Sequence, residues 1–234
     1  MLTLIPVHGI GEVRPGDELA TLVADAAAAQ GTPLQDRDCV VVTQKVVSKA
    51  EGRLVALDPD DPAARRALVE QESRRIVRRR GDLIISETHH GFVCANAGID
   101  LSNVAAGQAA LLPVDPDRSA HHVRNALRAR HGVDVAVIVS DTFGRAWRLG
   151  LTDVAIGVAG IAAVVDLRGT PDALGRELHV TEVAVADEIA GAAELVMGKA
   201  DGVPAAIVRG LDPSWFGAGA ARDLVRDPQD DLFR

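Results

Sequence analysis

The chain has 234 residues, 47% hydrophobic and 25% charged, which is ample apolar material for a core and excludes a disordered composition. Its net charge of -8, with no dominant basic tract, excludes a broad phosphate-neutralising surface for nucleic acid or an anionic membrane. The opening apolar run is too short for a signal peptide or a spanning helix, so a soluble cytoplasmic protein is expected.

Aromatic residues make up 3% of the chain and tyrosine is absent, so core volume must come from Val, Leu, Ile and Ala. Residues 2–7, "LTLIPV", read as a strand, and the glycine-rich "HGIGEVRPGDEL" after it reads either as a turn or as a loop laid along a nucleotide. Residues 17–30 predict a helix with Leu19, Leu22 and Val23 on one face, Asp17 as N-cap and Gly31 as stop. A strand over 38–43 runs into Thr43, another N-cap. A helix beyond it sets Lys45 and Lys49 four residues apart on one face, either as solvated lysines or as a site for phosphate or carboxylate.

Residues 61–80 are expected to form one helix, opened by Asp61 and Pro62 and closed by three arginines before Gly81, in keeping with the helix dipole. A strand over 82–87 follows. The long, small-residue segment 88–118 does not fit the short connections of a doubly wound fold. It carries Asp100, which could ligate a hard cation, and Asn103, which could read a polar ring, although an Asx turn accounts for both. His89 and His90 are adjacent in extended chain and face opposite ways, so they cannot readily share a metal. His90 reads mainly as a buried, satisfied residue and secondarily as a ligand or base.

After a helix over 118–130, "VIVSDTFGRAWRLG" (137–150) reads as a buried strand delivering Asp141, Thr142, Arg145 and Arg148 at its end. Carboxylate plus hydroxyl suits Mg2+ or Mn2+ on phosphates, and the arginines suit anionic oxygens. The alternative is an Asp141 helix cap with both arginines on the helix face. Strands over 155–167 and 205–211 and a helix over 182–198 complete the series. Cys39 and Cys94 read as structural thiols of a reducing compartment. The sum is an α+β protein with mixed sheets, a single domain over 1–234. No G-x-x-x-x-G-K-[ST], G-x-G-x-x-G, G-x-S-x-G or C-x-x-C occurs, so it is neither a P-loop nor a Rossmann fold.

Taken together and in order, "HGIGEVRPGDEL", "VVVTQKVVSKAEGR", "ETHHGFVCANAGIDLSN", "ALLPVDPDRSA", "VSDTFGRAWRLGLTDVAIGVAGI" and "GRELHVTEVAVADEIAGAAELVMGKADGVPAAIVRG" resemble the coenzyme F-420:L-glutamate ligase family, the gamma-glutamyl ligases of deazaflavin coenzyme synthesis. The resemblance covers about residues 4 to 233. It implies a mixed α/β fold of two intertwined subdomains and a homodimer sharing its active cleft. It also implies an enzyme that adds L-glutamate to the terminal carboxylate of the glutamate-free F-420 precursor, cleaving GTP to GDP and phosphate. Mn2+ or Mg2+, two per site, and K+ are the implied ions. Carried over residue by residue, the metal positions fall on Asp100, Asp141 and Thr142. The nucleotide positions fall on Ile10, Gly11, Glu12, Val13, Gln44, Lys49 and Asn103. Catalytic candidates are Lys49, Arg145, Arg148 and His90, with Glu182 a further possible base. Some relatives carry a nitroreductase-like domain after this one, whereas this sequence stops at "DDLFR". A metal-dependent nucleotide hydrolase and a noncatalytic deazaflavin or nucleotide carrier are the competing classes.

Overall fold

The computed structural model describes residues 1–232; Phe233 and Arg234 lie outside the described residues. The chain runs β1 (Thr3–Pro6), α1 (Leu19–Ala29), β2 (Cys39–Thr43), α2 (Gln44–Ala50), β3 (Leu54–Ala56), α3 (Pro62–Gln71), β4 (Ser73–Arg80), β5 (Leu83–Thr88), β6 (Val93–Ala95), β7 (Gln108–Ala110), α4 (Pro116–His131), β8 (Ala136–Arg145), β9 (Arg148–Ala159), β10 (Val165–Asp166), β11 (Glu182–Val183), α5 (Val185–Met197) and β12 (Ala205–Arg209).

The main sheet has the order β1-β12-β2-β8-β9, in which only β2 and β8 are parallel. Its central strands are β-branched on both faces because both are covered. One face, with Val40, Val42, Val137 and Val139, packs on Val23 of α1, Val47 of α2 and Leu127 of α4. The other, with Val41, Ile138, Ala206 and Val208, packs on Ala186, Ile189, Ala190 and Ala193 of α5. Small residues dominate the α5 contact and let the helix lie close to the sheet, which is how a core almost without aromatic rings fills its volume. Asp38, 1% exposed at the side chain, is held by a two-pronged contact from Arg209 at 2.8 and 2.7 Å. The pair fixes the start of β2 against the end of β12.

A smaller sheet, β4-β5-β6, packs α3 against it through Val69 and Ile84. Here the expected single helix over 61–80 fails. Its first half forms as predicted, with Asp61 accepting from the N–H groups of Ala63 and Ala64 ahead of α3. After Glu72 the chain extends, because Ile76 and Val77 favour a strand and the β5 edge supplies partners for the arginine-rich backbone. The Arg78–Arg80 run is therefore an exposed edge strand, whose charge discourages further strand pairing. In the long segment 88–118, β6 and β7 take up backbone pairing that the loop reading did not foresee, and Asp100 bridges to Ala110. Asp17 does not cap α1 either: its carboxylate accepts the Arg14 N–H in the preceding turn. Thr43 precedes α2 in extended conformation without a side-chain capping bond.

Edge strand β9 crosses α4 closely at Gly157, where an added Cβ would stand 2.2 Å from the Pro116 carbonyl oxygen. Neither partner is a flexible side-chain tip. Gly157→Ala is expected to cost roughly 1–3 kcal/mol, as forced overpacking does, and urea unfolding followed by circular dichroism measures it.

Candidate functional site

Strand β8 starts with five buried residues, Ala136 to Ser140, and becomes half-exposed at Asp141, Thr142 and Phe143. Because alternate residues share a face, Asp141 and Phe143 continue the Val137 and Val139 face. Ser140 and Thr142 continue the Ile138 face towards α5. Two acids and a hydroxyl that the sequence grouped together are thereby divided by one thickness of backbone.

On the first face Asp141 lies within electrostatic reach of Asp100. Burial above all, then the carboxylates of Asp100 and Asp153, push Asp141 up to about 7, against the opposing Thr142 N–H and Lys199. Burial also acts to raise Asp100. The Lys45 ammonium at 2.7 Å and the Ser102 N–H at 2.7 Å outweigh it, so Asp100 stays below the ordinary carboxylate value. Lys45 also donates to the Ser102 hydroxyl at 2.8 Å. Cys94 of β6 neighbours the same acid, and its thiol is pushed up to about 12 by burial and by Asp141. It is therefore an inert thiol here. Cys39 is likewise buried and free.

On the second face Asp153 is 2% exposed and accepts from Ser140 at 2.9 Å and from Thr142 at 2.6 Å. Lys199, just past α5, reaches Asp153 at 3.2 Å, Glu194 at 3.4 Å and the Thr142 hydroxyl. None of Asp153, Glu194 and Lys199 stood out in the sequence. The usable signal was an acid inside the apolar run "LTDVAIGV", where a strand paired on one side must turn Asp153 inward.

Several expected contacts take other forms. Val13 is buried, Ile10 packs against the core, and Glu12 is exposed and accepts from Lys49 at 2.5 Å. Gly11 lies on the exposed part of the same loop. Gln44 is 1% exposed, and its amide donates to Ser48 and to the Leu111 carbonyl, so its side chain serves the core rather than facing a ligand. Asn103 sits exposed with φ 53°, as Asx-rich turns allow. His90 stacks on Phe92 with ring centroids 5.6 Å apart and places Nε2 at 2.9 Å from the Pro113 carbonyl. That engages Nε2 structurally and leaves Nδ1, 3.4 Å from the Thr88 hydroxyl, as the second ring nitrogen. Glu182 pairs with Arg168 on the β10–β11 ribbon.

The arginines are the clearest departure. Beyond Asp141 the chain does not end its strand or start a helix: β8 continues to Arg145 and turns through Ala146 and Trp147 into β9. Arg145 lies four strand residues, about 13 Å, from Asp141 and donates to the Leu149 carbonyl at the hairpin tip. Arg148 is exposed on the same tip. Neither joins Asp141 within one chain.

Among the described residues no cluster of three or more His, Cys, Asp or Glu forms a ready cage for a metal ion. Even so, Asp141 is pushed up chiefly by burial and further by the neighbouring carboxylates of Asp100 and Asp153, and a divalent cation would relieve that local excess of negative charge. Mg2+ typically takes only one or two carboxylates and completes its shell with water and substrate phosphate. The donors present are compatible with such an ion, which Asp100 and Asp141 would hold together with water and phosphate oxygens.

The profile of the F420-0:Gamma-glutamyl ligase family matches residues 9–210. The chain belongs to this family. Similar relatives include the coenzyme F420:L-glutamate ligases of Methanopyrus kandleri, 45% identical over all of this chain and 98% of theirs, and of Methanothermobacter thermautotrophicus, 45% identical over all of this chain and 99% of theirs. That of Methanocaldococcus jannaschii is 41% identical over 86% of each chain. The gamma-glutamyl ligase family match thus spans both faces of the β8–β9 hairpin and the β2–α2 junction.

Two outcomes follow from the geometry. Asp153→Ala should cost about 2–3 kcal/mol by leaving two hydroxyls and an ammonium without their shared acceptor, as read by urea unfolding. The folded Asp141 value of about 7 lies above the unfolded value of about 3.9, so between them the native state binds the extra proton. Its contribution to stability is present at low pH and is lost as pH rises through 7. The wild-type minus Asp141→Asn difference in unfolding free energy, measured in chelator from pH 4 to 8, should fall across that window and level off above it.

Proposed function

We propose that the protein is a GTP-dependent coenzyme F420:L-glutamate ligase. The observation carrying this reading is the full-length likeness to curated ligases of that name, joined to a carboxylate–lysine cluster suited to a metal–triphosphate. In outline, the acceptor carboxylate oxygen attacks the γ-phosphorus of GTP, the bond to the bridging oxygen breaks, and GDP leaves. The amine of L-glutamate then attacks the acyl phosphate carbon, phosphate departs, and an amide to the glutamate remains once the amine has lost its proton.

Asp100 and Asp141 would hold Mn2+ or Mg2+, which when bound neutralises triphosphate charge and orients the γ-phosphoryl group. The protein's own part is positioning and charge. Lys45, now on Asp100, and Lys49, now on Glu12, stand on one side of α2 and can exchange those carboxylates for phosphate oxygens. The loop carrying Ile10, Gly11, Glu12 and Val13 reaches Lys49 through Glu12 and so borders the same anion region. Asn103, next to the Lys45-bound Ser102, borders it from the other side. Thr142 serves through Asp153, and K+ belongs to the same reading.

A homodimer is part of the proposal. The β8–β9 tip leaves Trp147 80%, Leu149 96% and Leu151 66% exposed, an apolar surface suited to a second copy that would bring Arg145 and Arg148 towards a neighbouring cleft. Among the described residues no helix is long and apolar enough to cross a membrane.

The test is incubation with GTP, Mn2+, L-glutamate and the glutamate-free precursor, followed by mass spectrometry for added glutamyl units. The expected outcome is glutamate-dependent addition with matching GDP release, lost at least 100-fold in Asp141→Asn. Phosphate release without any mass gain, or an active Asp141→Asn, would overturn it.

A further inference from the structure

Only four phenylalanines occur in this tyrosine-free chain, and two of them meet beside Asp141. Phe143 lies two residues along β8 on the Asp141 face, about 7 Å away along the strand, and Val154 of β9 pairs directly opposite Asp141. Phe92 meets Phe143 edge to face, with centroids 6.3 Å apart and planes at 66°. Both rings are half-exposed rather than sealed in the core. They line a cleft of about 290 Å³ with Val154 and Asp187, closed on one side by Val225 and Arg226.

That volume is at the lower limit of ligand pockets, roughly 300–1,000 Å³, so it accommodates one ring system and not an entire nucleotide. Its lining is largely apolar and aromatic, and its charged members are Asp187, Arg226 and Asp231. Asp187 accepts the Ala155 N–H through Oδ1, which leaves Oδ2 for a donor on a ligand.

Sheet order decides which ring. Lys45 and Lys49 stand on the helix that leaves β2, on one flank of Asp141. The aromatic cleft lies at the β9 edge on the other flank. A triphosphate drawn to the lysines therefore leaves the cleft to the second substrate. We propose that this cleft takes the planar fused ring of the deazaflavin acceptor against Phe92 and Phe143, with Asp187 accepting from a ring N–H. The inference rests on the ligase reading for the identity of the acceptor, but its binding test does not require catalysis.

The probe is 5-deazariboflavin, which has the ring but neither phosphate nor a reacting carboxylate. Its fluorescence should be quenched saturably by wild-type protein without nucleotide or glutamate. Phe143→Leu should weaken binding at least 10-fold, and Val154→Trp, which fills the cleft, should do the same. Thermal unfolding of each variant separates a lost cleft from a lost fold. In ligation assays both variants should raise KM for the acceptor while leaving KM for GTP within about 2-fold. Absence of ring binding to wild type, unchanged affinity in both folded variants, or displacement of the probe by guanosine would overturn the proposal. Ring binding that depends on Phe143 in a protein showing no ligation would uphold this inference while overturning the ligase reading, so the two failures are distinguishable.

Discussion

Asp141 is a carboxylate carried to the point where the buried half of β8 gives way to its outer half, and there water solvates it poorly and two further acids approach it. Desolvation and like charge both disfavour its ionised form, and a protein retains such a group only where something else compensates. The surrounding architecture can be understood as the set of compensations. Lys45 reaches across from the helix after β2 to hold Asp100, the Thr142 N–H turns towards Asp141, and Lys199 arrives from behind the sheet. The parallel pairing of β2 and β8 brings the first of these into place, because it sets Thr43, the last residue of β2, opposite Ser140 and hence the helix start beside the acid.

The hairpin separates functions by its two-residue periodicity. One face of β8 and β9 presents Asp141, Phe143 and Val154 to the open side, and the other sinks Ser140, Thr142 and Asp153 into a hydrogen-bonded knot against α5. The knot is internally satisfied, so it can hold the hairpin's twist without contributing to the exposed chemistry. A register bulge that leaves Ile156 unpaired between Val139 and Ser140 shifts β9 by one position, and it is this shift that sets Val154 opposite Asp141.

Much of the fold was legible from local pattern. The strand cores at 39–43, 136–140 and 205–209 and the helices α1, α4 and α5 follow apolar periodicity and their turn residues. What escaped depended on partners distant in sequence. Residues 73–80 are arginine-rich enough to read as a helix end, and only the β5 edge makes them a strand. Asp141, Asp100 and Lys45 were visible as residue types, and the fold does bring them together. Gln44 and Arg145 were read as ligand-facing or candidate groups, because nothing local reveals that a side chain is engaged by Leu111 or by its own hairpin tip, whereas the satisfied reading of His90 agrees with its contact to Pro113. Asp153 was missed for the same reason in reverse: its importance lies in what folds around it.

Asp117 and Asp187 have a consequence beyond anchoring. Strand β9 is the outer strand of the main sheet, and such an edge offers backbone donors to any passing chain. Asp187 occupies the N–H of Ala155, while Asp117 occupies those of Val158 and, on the C-terminal segment, Ala221. Two carboxylates thus act as stoppers along an otherwise adhesive margin. Assembly by adding a strand at this margin is thereby disfavoured, so the edge of the sheet is closed by two side chains rather than by a covering segment of backbone.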